Sequence, residues 1–498
     1  MNTYLGQKGY TISKNEITIE KQKQIREDLT IKPFTHGAPG QNIQVSFPAY
    51  RESSNKMYVP HYYGLEKIGP PKEIKISEGL DINLEFAGSL RENQEVVVKT
   101  YIEHVNKCKY GGGLLELPCA YGKTVLSLNI ISRLNKKTFI IVHKEFLMNQ
   151  WIERIQQFLP KARIGKIQGQ IIDIEDKDIV IGMLQSLSMK EYPSDLFQNF
   201  GLTIIDEVHH ISSEVFSNSL FKLVTKYMLG LSATMNRKDG TTKVFKMFLG
   251  PVVFKGKRDE ERDVTVRAIE YYVDDEEFNK VVTDFRGNVA YSTMISKLCE
   301  YNRRSEFILK ILGDMLQENP SQQVMILAHN KNILKYLHDA ISFRNIATVG
   351  YYVGGMKEAA LKETETKKVV IATYSMAAEA LDIKSLTTLI MATPKTDIEQ
   401  SVGRILREKH SQPVVVDIID THDTFKKQWQ KRKVFYKKEN YKIIHTKTNN
   451  YNPDTSKWSV IYEPSQKINK SEDCDNSDED TKNNDVFLHN KCLLKIKK

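Results

Sequence analysis

The sequence predicts an α/β protein made of two parallel-sheet blocks in tandem. Three observations carry that expectation. From Leu90 onward, short β-branched strands alternate with amphipathic helices, the pattern of parallel strands joined by helical crossovers. The strand-like run Leu114 to Leu117 leads into Gly122-Lys123-Thr124 and an apolar helix. The alternation then restarts near residue 301 without a second Gly-Lys-Thr.

A chain of 498 residues has room for about three domains and a large core. Hydrophobic and charged contents of 40% and 27% are those of ordinary soluble globular protein. The net charge of +10 suits a polyanionic partner, but 72 basic against 62 acidic residues is too modest an excess to identify one. Cys108, Cys119, Cys299, Cys474 and Cys492 are scattered and lack zinc-ligand spacing, which points to a reducing compartment and no structural metal. The N-terminus has no charged-then-apolar leader, and no apolar run reaches membrane-spanning length. The expectation is a soluble, intracellular protein with no membrane partner.

Residues 1–88 read as a small N-terminal accessory domain. Alternation around Tyr10 to Ile12 and Glu16 to Ile19 suggests short strands, and the Pro/Gly-rich stretch from Pro33 to Pro71 suggests loops. Its aromatic cluster, Tyr58, His61, Tyr62 and Tyr63, either stacks on bases or fills a small β-rich core. Residues 89–255 form the first block. Arg91 and Gln94 open a helix ahead of Leu117-Pro118-Cys119-Ala120-Tyr121-Gly122-Lys123-Thr124. A strand, loop and helix start in that order suit a polyphosphate, because backbone N–H groups and the helix dipole face its negative charge. Lys123 would then reach the β/γ-phosphates, and the Thr124 hydroxyl would sit on Mg²⁺. The strict pattern has glycine where this chain has Leu117, and Ala120 and Tyr121 also make the loop less glycine-rich. On its own the match is weak.

Thr138 to Val142 reads as the next strand, and the helix after it sets Leu147, Trp151, Ile155 and Phe158 on one face. Asp178 to Ile181 and Leu202 to Ile205 follow as strands, the latter ending in Asp206-Glu207. Asp206 is placed to hold the Mg²⁺ shell and Glu207 to orient and deprotonate a water. A strand capped by two solvated acids is the alternative. Together the two stretches imply a nucleoside triphosphatase. Tyr227 to Ser232 is a strand running into Ala233 and Thr234.

Residues 256–300 read as a connector with a strand from Val264 to Tyr271 inside it, and 301–445 as the second block. Its first helix carries Phe307, Ile308, Ile311, Leu312 and Met315 on one face. Strands are expected at Val324 to Leu327, Lys368 to Ala372, Thr388 to Met391 and Val414 to Ile419. Two such blocks with one phosphate loop suggest a nucleotide in the cleft between them. Arg404 and Arg407, three apart on one helix face, would then supply charge across the cleft; two solvated arginines are the alternative. From Lys426 to Lys447 nine basic residues are interleaved with Trp429, Phe435, Tyr436 and Tyr441. That composition suits phosphate contacts and base stacking, or equally a helix packing its aromatics on the second block. Residues 446–498 read as a flexible tail.

In order, Arg91/Gln94, Leu117 to Thr124, Asp206-Glu207-Val208-His209, Ser232-Ala233-Thr234, Ala372 to Ile383 and Gln400 to Arg407 resemble the motifs of superfamily 2 helicases. Asp-Glu-Val-His resembles the DEVH box of the branch with XPB-type and UvsW-type DNA helicases. Within it, Asp206 to Phe216 and Leu231 to Gly240 look similar to transcription-associated helicases of large cytoplasmic DNA viruses. The resemblance implies two RecA-like motor domains with ATP between them, a small N-terminal domain and a basic C-terminal extension.

By the same resemblance Gln94 reads adenine, Lys123 and Thr124 bind phosphate and Mg²⁺, and Asp206 and Glu207 handle metal and water. His209, Ser232, Thr234 and Gln400 couple ATP state to domain closure. Asp382 lies near the ribose or the motor interface, and Arg404 and Arg407 act as arginine fingers. His143, Gln185, Ser186, Thr373 and Tyr374 touch the nucleic-acid backbone, each with an alternative as an ordinary loop or strand-end residue. Ala380 stands where the family commonly has glycine. The implied activity is ATP-dependent unwinding or translocation on DNA, 3′ to 5′, serving viral transcript elongation, termination or release. RNA polymerase or other transcription factors are the implied partners, in host cytoplasm and virion. An RNA-directed motor and a scaffold that has lost its motor are the competing readings. The intact Lys123, Asp206, Glu207, Arg404 and Arg407 weigh against the scaffold, and the second block weighs against a small-molecule P-loop kinase.

Overall fold

The computed structural model describes residues 2–34, 46–107, 111–118, 121–193, 195–210, 213–235, 240–256, 263–379, 381, 383–408, 410 and 412–464. Residues up to Glu463 form one compact unit. Among the described residues no helix is long and apolar enough to cross a membrane.

The first lobe is built on eight strands. Helix α1 (Glu92–Asn106) precedes β1 (Gly111–Glu116), and α2 (Lys123–Leu134) follows it. Then come β2 (Thr138–Val142), α3 (Glu145–Phe158), β3 (Ile164–Gln168), β4 (Ile171–Asp173), β5 (Ile179–Met183), β6 (Leu202–Ile205), β7 (Tyr227–Ser232) and β8 (Val252–Lys255). They lie in the order β4-β3-β5-β2-β6-β7-β1-β8, parallel throughout except for the β3–β4 hairpin. Strands β2, β6 and β7 are buried along their whole length, which is why they are continuous apolar runs rather than alternating ones. Helix α2 starts at Gly122 (φ 90°) and stops at Asn135 (φ 51°), two residue types that tolerate left-handed backbone.

The second lobe repeats the plan. Strand β9 (Thr265–Tyr271) is followed by α4 (Asn302–Glu318), β10 (Gln323–Ala328), β11 (Val349–Tyr352), α5 (Glu358–Glu365), β12 (Val369–Thr373) and β13 (Leu386–Met391). The chain continues through α6 (Glu399–Gly403), β14 (Val414–Asp420), α7 (Asp423–Lys438), β15 (Lys442–Lys447) and β16 (Ser459–Tyr462). The sheet order is β11-β12-β10-β13-β14-β9-β15-β16, antiparallel only at the last pair. The protein is thus α/β, with two RecA-like parallel-sheet domains.

Two segments differ from expectation, and a third takes one of the two forms the sequence allows. Strand β9, in the segment read as a connector, lies inside the second sheet between β14 and β15. Residues 446–463, read as flexible tail, close that sheet's edge with β16 and bury Trp458, whose indole donates to Asn452 O at 2.8 Å. In the basic segment, Trp429, Tyr436 and Tyr441 are buried in the second lobe's core, so they offer no face to a base. Lys426, Lys427, Lys431, Lys437 and Lys438 stay on the solvent side of α7.

The N-terminal residues make a five-stranded sheet from Arg51–Glu52, Lys56–Val59, Gly9–Ser13, Thr3–Gly6 and Glu73–Ile74, in that order. They have no core of their own. Leu5, Tyr10, Ile12 and Val59 share one apolar cluster with Phe139, Phe216, Phe221 and Phe248 of the first lobe. The Tyr62 hydroxyl is tied to both N and O of Gly112 in β1, at 2.7 and 3.0 Å. Tyr63 is buried and donates to Asp28 at 2.9 Å, so this part of the aromatic cluster packs rather than stacks.

Strand β14 carries a buried carboxylate on each face. Asp420 receives Arg304 of α4 at 2.6 and 2.8 Å, and Asp417 receives Arg432 of α7 at 2.7 and 2.8 Å. Removing one partner strands a charge in the core. Arg304→Ala should therefore cost about 3–5 kcal/mol in denaturant unfolding, whereas Lys426→Ala on the exposed side of α7 should leave the unfolding midpoint unchanged.

Candidate functional site

Apart from Arg91 and Gln94, which open α1, the expected motifs of the first lobe leave the carboxyl ends of strands, the end of a parallel sheet where ligands bind. The phosphate-loop residues Leu117 and Pro118 follow β1, with Leu117 N donating to Ser232 O at 2.8 Å. Cys119 and Ala120 lie outside the described residues. Tyr121 is buried, and its carbonyl accepts from Arg91 Nη2 and Gln94 Nε2, both at 2.8 Å. The other end of the Gln94 amide accepts from Arg91 N at 3.0 Å. Gln94, expected to read adenine, is here buried and braces the loop through both ends of its amide. Thr124, half-buried, sits in the first turn of α2.

Lys123 Nζ meets Glu207 Oε1 at 2.5 Å, which joins the loop to the tip of β6. Glu207 itself has φ 49°. The other four non-glycine residues with positive φ among those described are Asn or Asp, which tolerate it; a glutamate held there costs on the order of 1–3 kcal/mol. Asp206 is buried, and burial together with the Glu207 charge pushes its carboxyl above the usual range. Its Oδ2 accepts the Trp151 indole N–H at 2.9 Å.

His209 joins three motifs. Its Nδ1 lies 2.7 Å from Ser232 Oγ and 3.3 Å from Glu207 Oε2, and its Nε2 lies 3.0 Å from Gln400 Nε2 in the second lobe. Ser232 Oγ donates to Thr234 O and accepts from Thr234 N at 3.2 Å. Because an amide nitrogen can only donate, Nε2 is the acceptor and Nδ1 carries the proton toward Ser232 and Glu207.

Arg404 Nη1 and Arg407 Nη2 both reach Leu381 O at 2.9 Å, so the two guanidinium groups converge on one carbonyl. Asp382 lies outside the described residues. Of the five residues expected along the nucleic acid, Gln185 Nε2 donates to His143 O at 3.1 Å, and Ser186 Oγ accepts from Gly169 N at 3.0 Å. Thr373 is nearly buried and pairs with Ser375 Oγ at 3.2 Å. Tyr374 is buried, and its hydroxyl donates to Thr393 O at 2.6 Å. In this structure Tyr374 packs the second lobe and has no ring face to offer a strand.

Among the described residues, contacts between the lobes also include Asn149 Nδ2 to Glu358 Oε2 at 3.0 Å and Lys362 Nζ to Glu153 Oε1 at 2.8 Å.

Residues 87–237 match the family described as type III restriction enzyme, res subunit. The chain is 35% identical to the "Putative ATP-dependent RNA helicase L396" of Acanthamoeba polyphaga mimivirus over 446 residues, 87% of this chain and 85% of that one. It belongs to the superfamily 2 helicases. An African swine fever virus protein with the same designation, QP509L, is 27% identical over 74% of this chain and 76% of its own. The structure of T4 UvsW covers 86% of this chain and 96% of that one at 17% identity, with a TM-score of 0.34. As a member of this family the helicase hydrolyses ATP.

Sequence reasoning missed how this helicase holds its site together. Arg91 was legible as a helix start and part of the first motif, and Trp151 only as part of an apolar face; no local pattern tells that the first braces the phosphate loop or that the second bonds a carboxylate. Gly122 has a readable reason, since a Cβ there would meet Gln94 Nε2 at 2.5 Å while φ stays at +90°. Gly122→Ala should weaken nucleotide binding about tenfold, the equivalent of the 1–2 kcal/mol left-handed penalty, in titrations with a fluorescent ATP analogue.

Proposed function

We propose that this helicase is an ATP-driven motor that tracks along DNA in the 3′ to 5′ direction and serves transcription in a large cytoplasmic DNA virus, with RNA polymerase or its factors as partners. The observation that carries the motor reading is the bridge at His209, bonded at one ring nitrogen to Ser232 beside Glu207 and at the other to Gln400 of the second lobe. A group that senses the acid site and the opposite lobe together makes lobe spacing depend on nucleotide state.

In this reading the Lys123–Glu207 pair is the resting arrangement. A bound polyphosphate draws Lys123 away and leaves Glu207 as the base for the attacking water. Asp206 and the Thr124 hydroxyl are hard oxygen donors of the kind that hold Mg²⁺ together with substrate phosphates rather than in an all-protein cage. Bound there, Mg²⁺ would supply charge neutralisation at the β/γ-phosphates. Arg404 and Arg407 face the developing charge from the second lobe, and Leu381 O holds them beside one another until then. His143, Gln185 and Ser186, at neighbouring strand ends, lie along the proposed strand path.

RNA is the second reading, favoured by the names of the mimivirus and African swine fever virus relatives, both called putative ATP-dependent RNA helicases. The DNA reading is favoured by the motif set, which resembles the DNA-directed branch. Measuring ATP turnover with single-stranded DNA, duplex DNA, RNA or no addition decides between them: the preferred polymer should stimulate most, and equal rates in all four would sink the motor reading. Lys123→Ala and Glu207→Gln should abolish stimulated turnover, the second while retaining ATP binding, because an amide cannot take the water's proton. Arg404→Ala should lower kcat by on the order of 10³-fold, near the lower bound for arginine fingers, while ATP affinity stays within a few-fold.

A further inference from the structure

Helix α3 sets Leu147, Met148, Trp151 and Ile155 into the first lobe's core, so the Trp151 indole is fixed by packing on every side. A buried indole N–H needs an acceptor and can only donate. Backbone carbonyls usually serve. Here the acceptor is the carboxylate at the tip of β6, distant in sequence, at 2.9 Å. We propose that Trp151 is a positioning residue for Asp206: its indole N–H engages Oδ2, fixes the carboxylate's rotation, and leaves Oδ1 for the Mg²⁺ of a bound Mg²⁺–nucleotide. This rests on the reading of Asp206 as a magnesium-shell carboxylate.

Two observations bear on it. The backbone of Asp206 is held as well, its N–H donating to Ile141 O at 3.1 Å, so the indole needs only to fix the side-chain torsions. Finally, a carboxylate with one oxygen engaged presents the other alone, which suits the strict geometry of Mg²⁺. Partners of this kind, one bond away from a metal ligand, are worth roughly 10–100-fold in metal affinity.

Trp151→Phe keeps most of the ring's volume and removes only the N–H. The test uses the full chain and a fluorescent ATP analogue, titrated with and without Mg²⁺, alongside melting curves. The expected result is unchanged affinity in EDTA, with the Mg²⁺ concentration for half-maximal enhancement raised about tenfold. A merely structural role would lower both affinities and the melting temperature together. An unchanged Mg²⁺ requirement in the variant would overturn the proposal. If the native chain itself bound the analogue equally well with and without Mg²⁺, the reading of Asp206 would fall, and this inference with it.

Should the variant not fold, the native protein answers by ¹⁵N-indole NMR. The chain has three tryptophans, and Trp429 and Trp458 are assigned by substituting each in turn. The Trp151 resonance should move between ADP in EDTA and ADP with Mg²⁺. An indole signal indifferent to Mg²⁺ would overturn the proposal.

Discussion

Parallel pairing of β6 between β2 and β7 is the constraint on which the site depends. It registers Ile205 with Ile141 on one side and Gly230 on the other, so the residues just past those strand ends fall in a row. His143 leaves β2, Asp206 leaves β6 and Ser232 ends β7. No side-chain interaction could gather such distant parts of the chain so economically. Backbone hydrogen bonds do so before any functional side chain is chosen, and these few residues then need only short reaches to meet. His209 extends the row across to Gln400 of the second lobe.

What could be read in advance follows from the same physics. Strands buried on both faces, such as Val369–Thr373, stand out as nearly continuous apolar runs. The Lys123 loop and the Asp206-Glu207 tip are legible because each chemistry demands particular residues at short spacing. Strand Thr265–Tyr271 was not legible as part of the second sheet. Its neighbours, Val414–Asp420 and Lys442–Lys447, lie far along the chain, and pairing at such separation leaves no local trace. The same blindness hid Ser459–Tyr462. In the basic segment, composition left base stacking and a packed helix equally open, and the helix sorts the residues by face, Trp429 and Tyr436 inward and most lysines outward.

Polar groups in the interior are arranged for two different ends. Arg304–Asp420 and Arg432–Asp417 are closed pairs with further bonds to Ala392 O and Lys395 O, and they pin helices to a sheet. Around Asp206 and Glu207 the bonds are of a kind that ligands can exchange: an ammonium on a carboxylate, an imidazole beside a hydroxyl. Glu207 is in addition the acid held at positive φ. Rigidity is concentrated where the lobes are built, and exchangeable contacts are concentrated where they meet.

The shared core between the N-terminal sheet and the first lobe has a mechanical consequence. A segment held only by a linker would lag and tumble while the lobes cycle. Here Tyr62 is bonded to the very strand that leads into the phosphate loop, and the apolar cluster runs unbroken from Leu5 to Phe248. The sheet is therefore a rigid outrigger on one half of the engine. Whatever rests against it keeps a position fixed by the fold relative to the strand that leads into the phosphate loop.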